Sequence, residues 1–209
     1  MAIDLCLPSP SKRLSLERRA FLDLLRLANT MAGPEEIAQQ MVVLARHISG
    51  CEAVAIRLKR GPGYPFATSL GFSTRFLALE DELCAQDEDG HLLRGENRQP
   101  ILACLCGKVL SGEVDRKHPW FTDRGSFVTP STSLMMDSPS AQAVLGRTRN
   151  RCHLAGYETV GLFPIRRDGV TYGLILCNDH RPGRLSAEVV DLMENFAAAG
   201  GHLFQLAMA

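Results

Sequence analysis

Residues 156–197 read GYETVGLFPIRRDGVTYGLILCNDHRPGRLSAEVVDLMENFA. Two apolar runs, Glu158 to Arg167 and Val170 to Asn178, flank Asp168-Gly169. An Asp-Gly pair between such runs is a strong signal for a two-residue hairpin turn. Both faces of the second run are mostly apolar, which predicts a central strand covered on both sides. Arg181-Pro182-Gly183 ends that strand, and Ser186 is placed to cap a closing helix. The apolar stripe of the helix is Val189, Leu192, Met193, Phe196, Leu203 and Leu206. Gly200-Gly201 is a weak point within it.

Working back from this stretch, residues 1–13 hold Pro8 and Pro10 and read as a loose arm. From Leu14 the pattern is helical, with Phe21, Leu24, Leu25 and Ala28 on one face. Gly33-Pro34 breaks the chain, and Pro34 suits the first position of a second helix striped by Ile37, Met41, Leu44 and Ile48. Gly50 is its natural stop. Glu52 to Lys59 has strand character, with Val54, Ile56 and Leu58 as the more apolar face. Gly61-Pro62-Gly63 turns the chain, and Tyr64 to Leu70 reads as the returning strand. Residues 80–157 are irregular and rich in Gly, Pro, Ser, Asp and Arg, with short helical pieces near 107–111 and 140–148. This order predicts an α/β (α+β) fold in which an antiparallel or mixed sheet carries helices on one face and the irregular middle on the other.

The 209 residues carry 23 basic and 23 acidic side chains, so the formal net charge is zero. That balance argues against a nucleic-acid partner. No run approaches the ~18 apolar residues of a membrane span, and no signal peptide is legible, so a cytoplasmic protein is expected. Seven cysteines in a reducing compartment point to metal ligands, redox thiols or buried small hydrophobes rather than structural disulfides.

The closing stretch resembles the end of a GAF domain. ELCAQDEDG, ACLCGKVLSGEVD, PWFTDRGSF, RTRNRC and GYE resemble the GAF sensors of bacterial PAS–GAF histidine kinases. The resemblance spans about residues 30–207. It implies a six-stranded antiparallel sheet, a ligand site on one face, and helical coupling to an output module or a dimer partner. The chain then divides into an arm (1–13), a signalling or dimerisation helix (14–29) and a GAF domain (30–209). No kinase, cyclase or DNA-binding segment is legible within it.

Cys84, Cys104, Cys106 and Cys152 are the candidate metal ligands, since thiolates on loops suit zinc or an iron–sulfur cluster. The CxC pair shares one ion only if the backbone turns, which Gly107 would aid. The same thiols could instead form a reversible disulfide, and some could be core filler, as expected for Cys51 and Cys177. Cys6 lies in the loose arm.

Trp120, Phe121, Phe127, Thr129 and Arg151 are the candidate ligand pocket, with the alternative that the aromatics only close a core. His118 and His153 are candidate haem ligands, without diagnostic spacing. Arg149 and Arg151 suit a carboxylate or phosphate. An enzymatic branch, free methionine-(R)-sulfoxide reductase, is the alternative function. Cys106-Gly107, Cys84 or Cys104, and Cys152 can be laid on its thiols. Leu176 and Asn178 stand where that family holds two aspartates. The function expected is a sensor of a small-molecule or redox signal that acts as a homodimer through its terminal helices, with a histidine kinase or other output protein as partner.

Overall fold

The computed structural model describes residues 18, 19, 22, 23, 26, 32–95, 98–141 and 148–208. Of the expected helix over 14–29, only five residues are described, and these are helical. The expected piece at 140–148 and Cys6 also fall largely outside the described residues.

Helix α1 (Pro34–Ser49) starts on its proline and stops at Gly50, which takes φ 64°. Strand β1 (Ala53–Leu58) pairs with β2 (Phe66–Leu70) and, on its other side, with β5 (Val170–Asp179). β5 is joined to β4 (Thr159–Arg167) through Asp168 and Gly169, at φ 51° and 77°. Positive φ at both central residues is what a type I′ hairpin requires. A short strand, β3 (Phe127–Thr129), closes the far edge against β4. The sheet order is β2-β1-β5-β4-β3, every pair antiparallel, with β5 central as its two apolar faces predict.

The described sheet has five strands, where six were expected. The segment 84–102 pairs with itself at three isolated bridges, Cys84 with Leu102, Gln86 with Leu92 and Arg94 with Pro100. Its glycines, single proline and charges leave no period-two apolar face to dock on the sheet. The irregular middle also contains α2 (Thr74–Glu80), α3 (Cys104–Ser111), α4 (Thr132–Met136) and α5 (Arg151–Leu154). Only α3 matches an expected helix.

Alternation along the strands splits the interior in two. Val54, Ile56, Phe163, Ile165, Ile175 and Cys177 face α1 and the closing helix α6 (Ala187–Ala207). Ala53, Ala55, Val160, Leu162, Leu174 and Leu176 face the middle segments. Two alanines on β1 leave room on that second face. Ser186 caps α6 by accepting the Val189 amide at 3.4 Å. Gly200 and Gly201 are buried. A Cβ on Gly201 would lie 2.4 Å from the Arg166 carbonyl oxygen, and one on Gly200 2.3 Å from Met41 Cε. The pair is thus a point of close approach, to α1 at Gly200 and to β4 at Gly201, not a weak point.

Candidate functional site

The face of the sheet away from α1 and α6 carries the chemistry. The CxC turn forms because Cys104 itself takes φ 68°, a left-handed conformation unusual for a residue with a side chain. Gly107 serves a different need from the one expected. A Cβ there would lie 2.5 Å from the Leu102 carbonyl oxygen, so only glycine lets α3 seat against that strand of chain. Cys104 and Cys106 are buried. Cys152, on α5, packs against the same core. These three thiols influence one another electrostatically, whereas Cys84 stands apart among Glu82 and the Gly61–Gly63 turn.

Arg57 projects into this face from β1 and is fully buried. Its guanidinium donates to the carbonyls of Tyr64 (2.8 Å), Asp81 (3.1 Å) and Glu80, and lies 3.6 Å from the centroid of the Phe66 ring. Two of those carbonyls end α2, so the cation sits at a helix C-terminus, where it is favoured. Its Nε has no hydrogen-bond partner. Burial lowers its proton affinity; the Cys106 thiol and the Glu80 carboxylate oppose that change.

Glu80 is buried at 3% exposure. Its Oε1 lies 3.0 Å from Arg151 Nε and 3.5 Å from Arg149 Nε. Burial raises its pKa, and Arg149, Arg151 and Arg57 pull it back. One α2 residue therefore ties together β1, α2 and the segment that carries Cys152. Asn178, on β5, is fully buried beside the Cys152 thiol, and neither polar atom of its amide has a well-formed hydrogen bond.

Burial holds all of these thiols protonated at neutral pH. Cys106 is raised well above the ordinary thiol range by burial, with Arg57 opposing. Cys152 is pushed up to about 12 by burial, with Cys104 adding and Asn178 opposing. Cys104 is raised by burial and by Glu80, against amide donors from Arg149 and Leu105. Among the described residues, the trio of Cys, His, Asp or Glu whose ligand atoms lie within 4.8 Å of one another is Asp87, Asp89 and His91, all exposed. Among the described residues, the cysteines form no such trio.

Two spaces adjoin the cluster. A cavity of about 30 Å³, room for a water, is lined by Cys104, Cys106, Phe127, Arg151, Cys152 and His153. A groove of about 590 Å³ runs along Cys84, Leu93, Ile101, Cys104, Lys108 and Arg149. Of the expected pocket residues, Phe127 and Arg151 line the small cavity. Phe121 stacks edge-on against Phe127 at 5.6 Å, and Trp120 packs on the same core beside His118. Thr129 is buried and donates to the Ser131 carbonyl. His153 lies 3.1 Å from Thr132 Oγ1.

No protein-family profile and no curated protein matches the sequence. Solved structures do. The GAF domain of a phosphoenolpyruvate-protein phosphotransferase from Coxiella burnetii superposes with a TM-score of 0.60 at 14% identity, covering 94% of each chain. A domain assigned to a two-component sensor histidine kinase of Sinorhizobium meliloti gives 0.54 at 15% identity, over 85% of this chain and 94% of that one. Free methionine-R-sulfoxide reductase from Neisseria meningitidis gives 0.57 at 10% identity, over 94% and 92%.

The chain has the GAF fold.

Within the GAF fold, the sheet face that holds the cluster is the one opposite α1 and α6. Sequence reading missed Arg57 and Glu80, and marked Asn178 only as standing where the reductase family holds an aspartate. The signal for Arg57 was present: it shares the 53-55-57 face of its strand with two alanines. Nothing local marked Glu80, whose partners lie 69 and 71 positions further along the chain.

Proposed function

We propose that this chain is a sensing domain whose input site is the buried thiol–arginine–glutamate pocket and whose output leaves through its terminal helices. One observation carries the reading: Arg57, Glu80, Asn178 and Cys106 are buried on a single sheet face, with the half-buried Cys152 packed against the same core. Withdrawing ions from water costs several kcal/mol each, and apolar side chains of like volume commonly serve a core as well or better. A cluster kept at that cost is suited to binding. The favoured input is a small ligand whose anionic group takes Arg149 and Arg151 from Glu80. A redox change at the three thiols is the second input, disfavoured by the burial of Cys104 and Cys106 and the raised proton affinity of all three. Nucleic acid and membrane play no part in the proposal, and no described helix is long and apolar enough to cross a bilayer. The chain works in the cytoplasm, as a homodimer through its terminal helices, and hands its signal to a histidine kinase or other output protein. The Sinorhizobium meliloti neighbour supports that last step.

The thiol-enzyme reading is weaker on this chain. Leu176 and Asn178 occupy the pocket face of β5, so a zwitterionic substrate meets no carboxylate there. Turnover of free methionine sulfoxide with excess thiol reductant would restore it.

The deciding experiment is native mass spectrometry with elemental analysis and an ultraviolet–visible spectrum on protein purified without oxygen. A bound mass that Arg151→Gln abolishes supports the ligand-sensing reading. A bare, metal-free, colourless chain with no reversible thiol change after mild peroxide removes it and leaves an interaction module.

A further inference from the structure

The pocket and the helices of this sensor lie on opposite faces of the sheet, and one loop joins them around its β3 edge. Residues 120–126 begin in the pocket core: Phe121 meets Phe127 edge-on, and Phe127 lines the small cavity. Trp120 accepts the Val128 amide at 2.8 Å, which fixes the loop to β3. The loop then crosses the edge. Thr122 Oγ1 donates to Glu194 Oε1 at 2.5 Å and accepts the Ser126 amide at 3.0 Å. Arg124 donates to Asn195 Oδ1 at 2.6 Å and to Asp191 Oδ1 at 3.3 Å. Asp191, Glu194 and Asn195 fall at i, i+3 and i+4, one face of α6. The Arg124 pair with Asp191 is exposed and weak. Glu194, only 9% exposed, is the anchor.

We infer that residues 120–126 form a coupling strap, through which a change in pocket packing reaches the closing helix by way of Thr122 and Glu194. The inference rests on the sensing reading above, but its test needs no ligand, so the two can fail separately. A rigid aromatic contact at one end and a charge-assisted hydrogen bond at the other make the strap a short mechanical link. The competing route is directly through β4, on which α6 packs at Gly201.

Leu105 is buried and lines the small cavity, so the test uses the full chain with Leu105→Ala to loosen the pocket, and reads hydrogen exchange across 187–199. Trp120, the one tryptophan of the sequence, reports on the strap by its emission. Leu105→Ala is expected to shift that emission and to speed helix exchange about tenfold, the scale of one lost charge-assisted hydrogen bond. In a Thr122→Val, Arg124→Gln background the added exchange falls below about twofold, and Thr122→Ser restores it. Thr122→Val alone, which removes the bond to Glu194 at nearly constant volume, provides the same comparison should the double variant misfold. An equal increment with and without the strap contacts overturns the inference, assigning the coupling to β4. An unmoved Trp120 emission overturns it too.

Discussion

Arg57 shows how much one buried side chain can organise. Its guanidinium serves three carbonyls, two of them at the end of α2, and a neutral or shorter side chain leaves these without donors. Arg57→Gln is expected to cost about 3 kcal/mol, measured by urea unfolding, because buried acceptors lose a charged partner. Arg57→Lys recovers only part of this, since an ammonium cannot spread over the same planar set. The thiols set a second residue-scale behaviour. Cys51 and Cys84 are each pushed up to about 11, chiefly by burial, and Cys152 to about 12. An unfolded thiol titrates near 8.5, so the folded chain holds these protons more tightly. Stability is therefore intact below about pH 8.5 and falls as the pH rises toward 11. Urea midpoints at pH 7, 9 and 10.5 check this; a flat profile would mean the thiols are not enclosed in solution.

Elements here are fastened at their ends. Asp179, at the end of β5, is fully buried and takes a two-pronged bond from Arg181, 2.9 Å at each oxygen, with the Glu52 amide at 3.2 Å. Burial alone would raise its pKa, but Arg181 and the amides of Arg181 and Glu52 more than offset this and hold it below the usual range. Its contribution is present above the ordinary carboxylate pKa near 3.9 and is lost as the pH falls below that value. Asp179→Asn is expected to lower stability at pH 7 and to flatten the acid limb of the stability profile. The glycine pair in α6 supplies a prediction of sign. In an exposed helix, replacing glycine by alanine gains up to about 1 kcal/mol. At Gly201 the new methyl group would meet the Arg166 backbone, so Gly201→Ala is expected to destabilise by about 2 kcal/mol. A stabilising result in calorimetry would show that α6 stands further off the sheet.

At the scale of the whole molecule, the sheet is a partition. One side is an apolar helix-backed core; the other holds the charged, thiol-rich pocket beneath loops and short helices. The outward side of α6 is mixed, with Glu188, Asp191, Ala198 and His202 beside Leu206, which is 59% exposed. The proposed dimer would cover part of that surface. Light scattering at ~100 μM, above ordinary dimer affinities, is expected to show two chains. A monomer at that concentration would move the output to a different partner.

The strands from Glu158 to Asn178, their Asp-Gly turn, the stop of α1 at Gly50 and the central place of β5 were legible in the sequence. Each rests on residues close together in the chain, where periodicity and turn chemistry act directly. The GAF resemblance followed from that same local order. Cys104, Cys106 and Cys152 could be named as candidates, but not as neighbours whose burial raises their hold on their protons. Arg57 and Glu80 acquired their roles only when β1, α2 and the 148–154 segment closed on one another. Burial, ion pairing and the loss of water are properties of that closure. Local sequence carried the scaffold; the site depends on contacts between residues distant along the chain, which only the tertiary structure decided.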